Sequence, residues 1–541
     1  MSGMRALTLP VLIALALAGV AAMVYMTPKG PGIYYDSVIY VDSARNLLLG
    51  KGYVSTLAVS SKVNLTHGER PLTCFPPLFP LILALIGLWG PDPMNGAGGL
   101  NAFLFGLNIL LVGLALRKYT RGSFYTSVLG SFLMLTSATM LSVHSIAQTE
   151  PLFLFLGTLG ILLVMRYLRN GSRWALVAGS VAMALAFLTR YVGGALIVTG
   201  LVGILFVGSQ AFSRRVMDGL IFLVVSVFPM GLFLMRNIYM AGDATGRSFS
   251  FHPVVADFFK VLFITMGSWI FPGSNKVILF PGQDIFTGLI LVVILTGLIF
   301  SGVVLFHHKV EREEGKGIKE YLRNTPFLLL TFIGICLLLL FLSICFFDPS
   351  TRPNERHTSC LFMAGLILVL YLLHRTYHFS KRRGLRLGLI TVSTVFAAGY
   401  LSAAIMCTVS YHKYGRGLTG KRWEVFRMIS EKIRRDMPEV TVFTTGPISA
   451  CAFFFFTGTP AYALTELIKD SIKVSDYLGG HEGVWIHFRI SLRKGSRYKQ
   501  AWFHPGLSEQ QVQRYFLSHH LSPRLLQEKE GLFLFQVGSN E

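Results

Sequence analysis

The sequence predicts a polytopic α-helical membrane protein of about 11 transmembrane helices with a small C-terminal extracytoplasmic α/β domain. Three observations predict it. Hydrophobic residues make up 52% of the 541 and charged residues only 14%, where soluble domains carry about 25% charged residues. Mean hydropathy is +0.57. Long apolar runs recur as far as residue 410, whereas the chain from Tyr411 onward has mixed charge, with 18 Lys and Arg against 12 Asp and Glu. The same figures exclude disorder, collagen and a disulfide scaffold, and the six scattered cysteines show no CxxC spacing. A net charge of +22 on so apolar a chain points to cytoplasmic loops, lipid headgroups and phosphate-bearing ligands rather than to nucleic acid.

The stretch Leu7 to Met26, behind Arg5, is long enough to cross about 30 Å of hydrocarbon and reads as a retained first span. Further spans are expected near 100–116, 123–145, 150–167, 174–189, 193–208, 216–235, 285–306, 326–347, 359–374 and 387–410. Positive clusters fall in every second gap: Arg117, Lys118 and Arg121; Arg166, Arg169 and Arg173; Arg214 and Arg215; the 309–323 loop; and Arg375 to Arg386. Those gaps are cytoplasmic by the positive-inside rule. Pro77 to Gly90 is too short to span, opens on prolines, and reads as an interfacial or re-entrant helix. The transmembrane domain is therefore expected over 1–410, with a first outer loop at 27–99, and the extracytoplasmic domain over 411–541. Within the latter, 421–435 reads as a helix, 450–456 as an apolar helix or strand, and 440–445, 483–489 and 531–537 as strands.

Long loops on one side place the chemistry at the outer surface. Asp36 opens an amphipathic helix that Gly50 and Gly52 stop, with Tyr40 on the same face. By spacing alone it is an acid that satisfies free amides and the helix dipole; as chemistry it is a general base. Asp42 is the second choice for that base, but it points off that face and reads rather as solvated or facing headgroups. Glu150, before Pro151, reads from the residues as a first-turn acid that complements the helix dipole. Arg190, followed by Tyr191, lies on the side where the charge rule disfavours arginine; it snorkels to headgroups or holds a phosphate.

The runs YYDSVIYVDSARNLLLGKGY, CFPPLFPLILALIG, TEPLFLFLGTLGILL and LTRYVGGALIV, in this order and with this loop topology, resemble the membrane glycosyltransferases of the GT-C fold. The resemblance covers residues 5–410 and is nearest the family 39-like branch, which includes protein O-mannosyltransferases and lipid A aminoarabinose transferases. It implies an inverting transfer of a sugar from a polyprenyl-phosphate donor on the outer leaflet to a glycan, lipid or protein acceptor. It implies Asp36 as the base at the acceptor, although Ser37 stands where many relatives carry a second acid. It also implies a donor-phosphate arginine in the loop before the 359–374 span: Arg356 first and Arg352 second, with His357 where relatives carry Tyr. Glu150 is implied to face the same cavity.

No cofactor follows from the sequence. A divalent cation on Asp36 and Glu150 is compatible with the fold; His67 beside Glu69, with Arg70 next to them, is a weak metal signal because ligation needs at least three convergent ligands, and His144 is the residue that would join them in space. Trp269 reads as an interfacial anchor, and Arg236, Arg247, His252, Lys260 and Lys276 as minor outer-loop candidates. Asn64-Leu65-Thr66 fits a glycosylation sequon, which matters only in a eukaryotic host. The expected location is a bacterial inner membrane. A lipid or polysaccharide transporter, or a non-catalytic scaffold, is the alternative; it calls for ionisable residues in mid-span and internal pseudosymmetry, and neither is evident.

Overall fold

The computed structural model describes residues 2–56, 70–270 apart from 248 and 254, 320, 322–323, 325–347, 351–379 and 383–436. Beyond these it describes 441–444, 447–458, 461–463, 483–488, 521–529 and 532–539. Contacts divide the chain into two units, Met1–Pro31 with Thr73–Gly415 and Gly32–Leu72 with Arg416–Glu541.

The first unit is helical: α1 (Ser2–Met26), α4 (Pro93–Tyr119), α7 (Glu150–Asn170), α10 (Phe212–Ala241), α12 (Phe327–Phe346), α13 (Glu355–Phe379) and α14 (Arg383–Tyr414) are long and apolar enough to cross a membrane. Helices α5 (Phe124–Thr136) and α6 (Ala138–His144) make an eighth if counted as one span bent by 59°. The bend sits at Ser137, whose backbone is extended and whose hydroxyl accepts from the Met140 amide. These are the helices of an integral membrane protein.

Among the described residues, seven helices, or eight with the bent pair, meet this test, where the sequence leads to an expectation of 11 over the whole chain. Two apolar runs give α8 (Arg173–Thr189), about 25 Å long, and α9 (Gly194–Val207), about 21 Å long at 1.5 Å per residue. Both fall short of the hydrocarbon thickness, because the backbone leaves the helix at Arg190 and makes a 3₁₀ turn at Tyr191–Gly193. The expected span at 285–306 lies outside the described residues. The run after Pro77 forms a ten-residue helix, α3 (Leu78–Gly87), about 15 Å long and unable to span. Helix α11 (Val255–Ile270) packs Phe258 and Leu262 on Leu340 and Ile344 of α12.

Without a hydrophobic force between helices in lipid, close approach at small residues holds a bundle together. Gly106 of α4 lets α1 come so near that a Cβ there would lie 2.9 Å from the Ala16 carbonyl oxygen and 2.7 Å from Val20. Any side chain at Gly106 would push the two helices apart.

The second unit joins the first-loop segment to the chain's end. Ile33 and Gly417 form a parallel bridge, and the Leu418 amide donates to the Ile33 carbonyl at 2.8 Å. Gly417 has φ +54, and a Cβ there would run into the Ile33 backbone, so glycine is required. Helix α2 (Tyr35–Leu48) is followed by the short antiparallel pair β1 (Val54–Ser55) and β2 (Arg70–Pro71). A five-stranded sheet runs β4-β3-β5-β7-β6. Strands β3 (Thr441–Thr444), β4 (Ala461–Ala463) and β5 (Gly483–Phe488) are parallel, and β6 (Leu521–Lys529) and β7 (Leu532–Ser539) add antiparallel. Helices α15 (Glu424–Asp436) and α16 (Pro447–Thr457) complete the unit, and α16 packs on α2. The first-loop segment therefore groups with the C-terminal region rather than with the spans, because backbone pairing at Ile33 and helix packing on α2 tie it there.

Candidate functional site

Two asparagines in the apolar helix α4 begin the site. Asn101 and Asn108 are seven residues apart, on one face, and both are buried. In hydrocarbon a side-chain amide needs partners, and these find them in the connection between α6 and α7. Asn101 Nδ2 donates to the Ile146 carbonyl. Asn108 Nδ2 donates to the Pro151 carbonyl at 3.1 Å and lies 3.1 Å from His144 Nε2. His144 Nδ1 sits 2.8 Å from the Met140 carbonyl, which makes Nδ1 the donor and leaves Nε2 to accept from Asn108. Residues 145–149 are buried throughout, and the strap ends at Glu150, the first residue of α7, with Pro151 next where its missing N–H costs nothing.

Glu150 is 1% exposed. Its Oε1 accepts from Arg190 Nη1 and from Arg356 Nε, so two guanidinium groups close on one carboxylate oxygen. Thr149 joins the group, its Oγ1 lying 3.3 Å from Arg190 Nη1 and 3.4 Å from Glu150 Oε2. Arg190 arrives from the end of α8, and Arg356 is the second residue of α13. The start of α13 is set by Asn354, whose Oδ1 accepts from the Arg356 amide at 3.1 Å and the His357 amide at 3.3 Å. His357 Nδ1 lies 3.1 Å from the same oxygen. One carboxylate against two arginines leaves a net charge of +1. Arg190 uses only Nη1 among the described residues, and the N–H groups on its Nε and Nη2 lack a partner there. Such a forked, net positive site suits an anionic oxygen cluster.

Three of the sequence-predicted residues, Glu150, Arg190 and Arg356, thus meet, with His357 beside them. Arg352, four residues before Arg356, is exposed. Tyr191 is a step away: its hydroxyl donates to the Thr73 carbonyl at 2.8 Å, and the Arg247 guanidinium lies 5.7 Å from its ring centre. Arg236 donates to Asn237 Oδ1 at 3.0 Å. The His252 amide donates to the Cys345 carbonyl at 2.7 Å, and Lys260 is exposed on α11. His67, Glu69, Asn64 and Lys276 lie outside the described residues. Both ring nitrogens of His144 face protein partners, Asn108 and the Met140 carbonyl. No group of three or more His, Cys, Asp or Glu converges among the described residues. Trp269, expected as an interfacial anchor, packs edge-to-face on Phe362 of α13 at 5.5 Å. It is half-buried, and the Tyr400 hydroxyl donates to its backbone carbonyl at the end of α11.

In the second unit, Asp36 is half-buried in the first turn of α2, Tyr40 is buried one turn on, and Arg70 lies in β2. Asp42 overturns its expected solvated role. It is 6% exposed and accepts from Ser55 Oγ at 2.9 Å, the Thr56 amide at 2.8 Å and Asn46 Nδ2 at 3.4 Å. It locks α2 to β1. Burial raises its pKa above the ordinary aspartate range, and the Thr56 and Ser55 hydrogen bonds and Arg45 only partly offset this. Burial likewise pushes up the Cys451 thiol on α16, with the carboxylates of Asp36 and Asp42 adding to it.

Asn101, Asn108, Thr149 and Asn354 were not anticipated. The signal for the first two was present: polar amides seven residues apart in an otherwise apolar helix.

No protein-family model matches the chain, and no curated protein sequence matches it. Solved structures do. ArnT from Cupriavidus metallidurans in the apo state aligns with a TM-score of 0.55 at 12% identity over 97% of both chains. The arabinofuranosyltransferase AftD from Mycobacteria aligns at 0.54 and 14% identity, over 98% of this chain and 42% of that one. A second structure of ArnT, bound to undecaprenyl phosphate, aligns over 97% of both chains at 13% identity with a TM-score of 0.49, too low to bear on the fold. ArnT and AftD are glycosyltransferases of the GT-C fold. The chain has the GT-C fold.

Proposed function

We propose that the protein is a glycosyltransferase that moves a sugar from a polyprenyl-phosphate donor to an acceptor at the extracytoplasmic face of the membrane, with inversion at the anomeric carbon. The observation that carries this reading is the convergence of Arg190 and Arg356 on Glu150 at neighbouring helix ends, in a fold shared with two sugar transferases. A phosphate leaving group gains negative charge as its bond to sugar breaks, and preorganised guanidinium groups stabilise that charge where it develops. Arg190 has donors to spare for it.

Asp36 is the proposed general base. The acceptor hydroxyl attacks the anomeric carbon opposite the phosphate, its proton passes to a carboxylate, and the sugar–phosphate bond breaks. Tyr40, Tyr191, His357 and Arg352 are proposed to line the substrate sites. The acceptor is a glycan, a lipid or a protein, and the membrane is a bacterial inner membrane. A divalent cation at Glu150 would share that carboxylate with two guanidinium groups.

The test is sugar transfer in a membrane preparation given labelled polyprenyl-phosphate sugar. Wild type is expected to transfer and Asp36→Asn to fall by about 1,000-fold or more, as loss of an essential base requires. Transfer by Asp36→Asn at the wild-type rate would remove the base assignment; no transfer by wild type from any such donor would remove the enzymatic reading in favour of transport.

A further inference from the structure

Glu150 is in an unusual position for a residue beside a phosphate site. A carboxylate among phosphate-binding arginines competes with the ligand, yet this one is fixed there. Its side chain is 2% exposed, and both guanidinium groups close on the same oxygen. The strap that carries it is pinned by Asn101 and Asn108, and Pro151 follows it directly. It has little freedom to swing away when ligand arrives.

We infer that Glu150 is a built-in counter-anion that sets which phosphate charge the site retains: the singly charged phosphodiester of the donor, not the doubly charged phosphomonoester left after transfer. This rests on the function proposed above. During transfer the acceptor oxygen bonds to the anomeric carbon, and the carbon–oxygen bond to phosphate breaks with its electron pair going to the phosphate. The hydroxyl proton goes to the Asp36 carboxylate. The carrier therefore changes from monoanion to dianion at neutral pH or above. With Glu150 ionised, the three side chains sum to +1 and neutralise the donor, whereas the product leaves the site one charge negative. Without it they sum to +2 and hold the dianion best. Charges a few ångströms apart and out of water make such a difference count. The carboxylate thus favours departure of the spent carrier.

The experiment uses the purified full chain in detergent at pH 8. Two probes are titrated, a short-chain prenyl monophosphate and its methyl phosphodiester, against wild type, Glu150→Gln and Glu150→Asp. Arg352, Glu355 and His357 are common to all three and cancel. Wild type is expected to bind the diester at least as tightly as the monoester. Glu150→Gln is expected to shift that ratio toward the monoester by about tenfold or more, and to turn over with strengthened inhibition by its lipid product. Glu150→Asp, which keeps the charge, is expected to keep the wild-type ratio. An unchanged ratio in Glu150→Gln, or the same shift in both variants, overturns the inference while leaving the transferase reading intact. Wild type that binds neither probe overturns both.

Discussion

Two buried carboxylates stand in two regions of this chain with opposite surroundings. Glu150, at the helix ends of the first unit, faces two guanidinium groups and a threonine hydroxyl. Asp42, in the second unit, faces a serine hydroxyl, a backbone amide and an asparagine amide, all neutral. The first cluster keeps an excess of positive charge and unused donors, which is what a binding site needs. The second is closed around its own charge and can only hold α2 against β1. Burial of an acid therefore does not distinguish a site from a staple; the charge and the spare donors of its partners do.

The largest expected effect that would break this contrast is at Arg356. Arg356→Ala removes one of the two proposed phosphate donors and leaves Glu150 with one guanidinium partner, and sugar transfer is expected to fall by about 100-fold to 1,000-fold. Asp42→Ala, which loosens the helix that carries Asp36 but removes no guanidinium group, should cost less in rate, and equal losses would erase the distinction. Second is Asn108→Leu, which strips donors from the Pro151 carbonyl and from His144. It is expected to cost about 1–3 kcal/mol, read as a lowered Tm of the detergent-purified protein. Third, Asp42→Ala leaves the Thr56 amide and the Ser55 hydroxyl without their acceptor, and faster hydrogen exchange over 37–56 is expected, with 150–170 unaffected.

The smallest effect concerns pH. Because burial raises the Asp42 pKa on folding, the acid is stabilised as its neutral form. Its contribution is fully present below the unfolded value near 3.8 and is lost as pH rises through the higher folded value. Protection of α2 against exchange, corrected for intrinsic rates, is expected to be greater at mildly acid pH than at pH 8. Asp42→Asn should flatten that dependence, and a dependence of the opposite sign would show that Asp42 gains rather than loses by ionising.

Hydropathy made most of the bundle legible. The long runs at α1, α4, α7, α10, α12, α13 and α14 mark themselves, because a helix in lipid must be apolar along its length. The break at Arg190 was not legible as a shortening of two helices, since two adjacent apolar runs look alike whether or not each reaches across. Glu150, Arg190 and Arg356 stood out singly, as charges at span ends, but nothing one-dimensional says that residues 40 and 206 positions apart share one oxygen. Asp42 misled because its partners, Ser55 and Thr56, lie beyond the end of its helix, and a helical wheel sees only the helix. The grouping of 32–72 with 416–541 rests on the pairing of Ile33 with Gly417 and the packing of α16 on α2, contacts that no local pattern encodes.

The central claim is that Arg190 and Arg356 hold the phosphate of a lipid carrier. Its most direct test is the affinity of the purified chain for a short-chain prenyl phosphate, wild type against the double variant Arg190→Gln/Arg356→Gln, with Asp42→Asn as the control for a buried acid outside the site. The double variant is expected to bind about 100-fold more weakly or worse, and the control to bind as wild type does. Equal affinity in wild type and the double variant would contradict the claim.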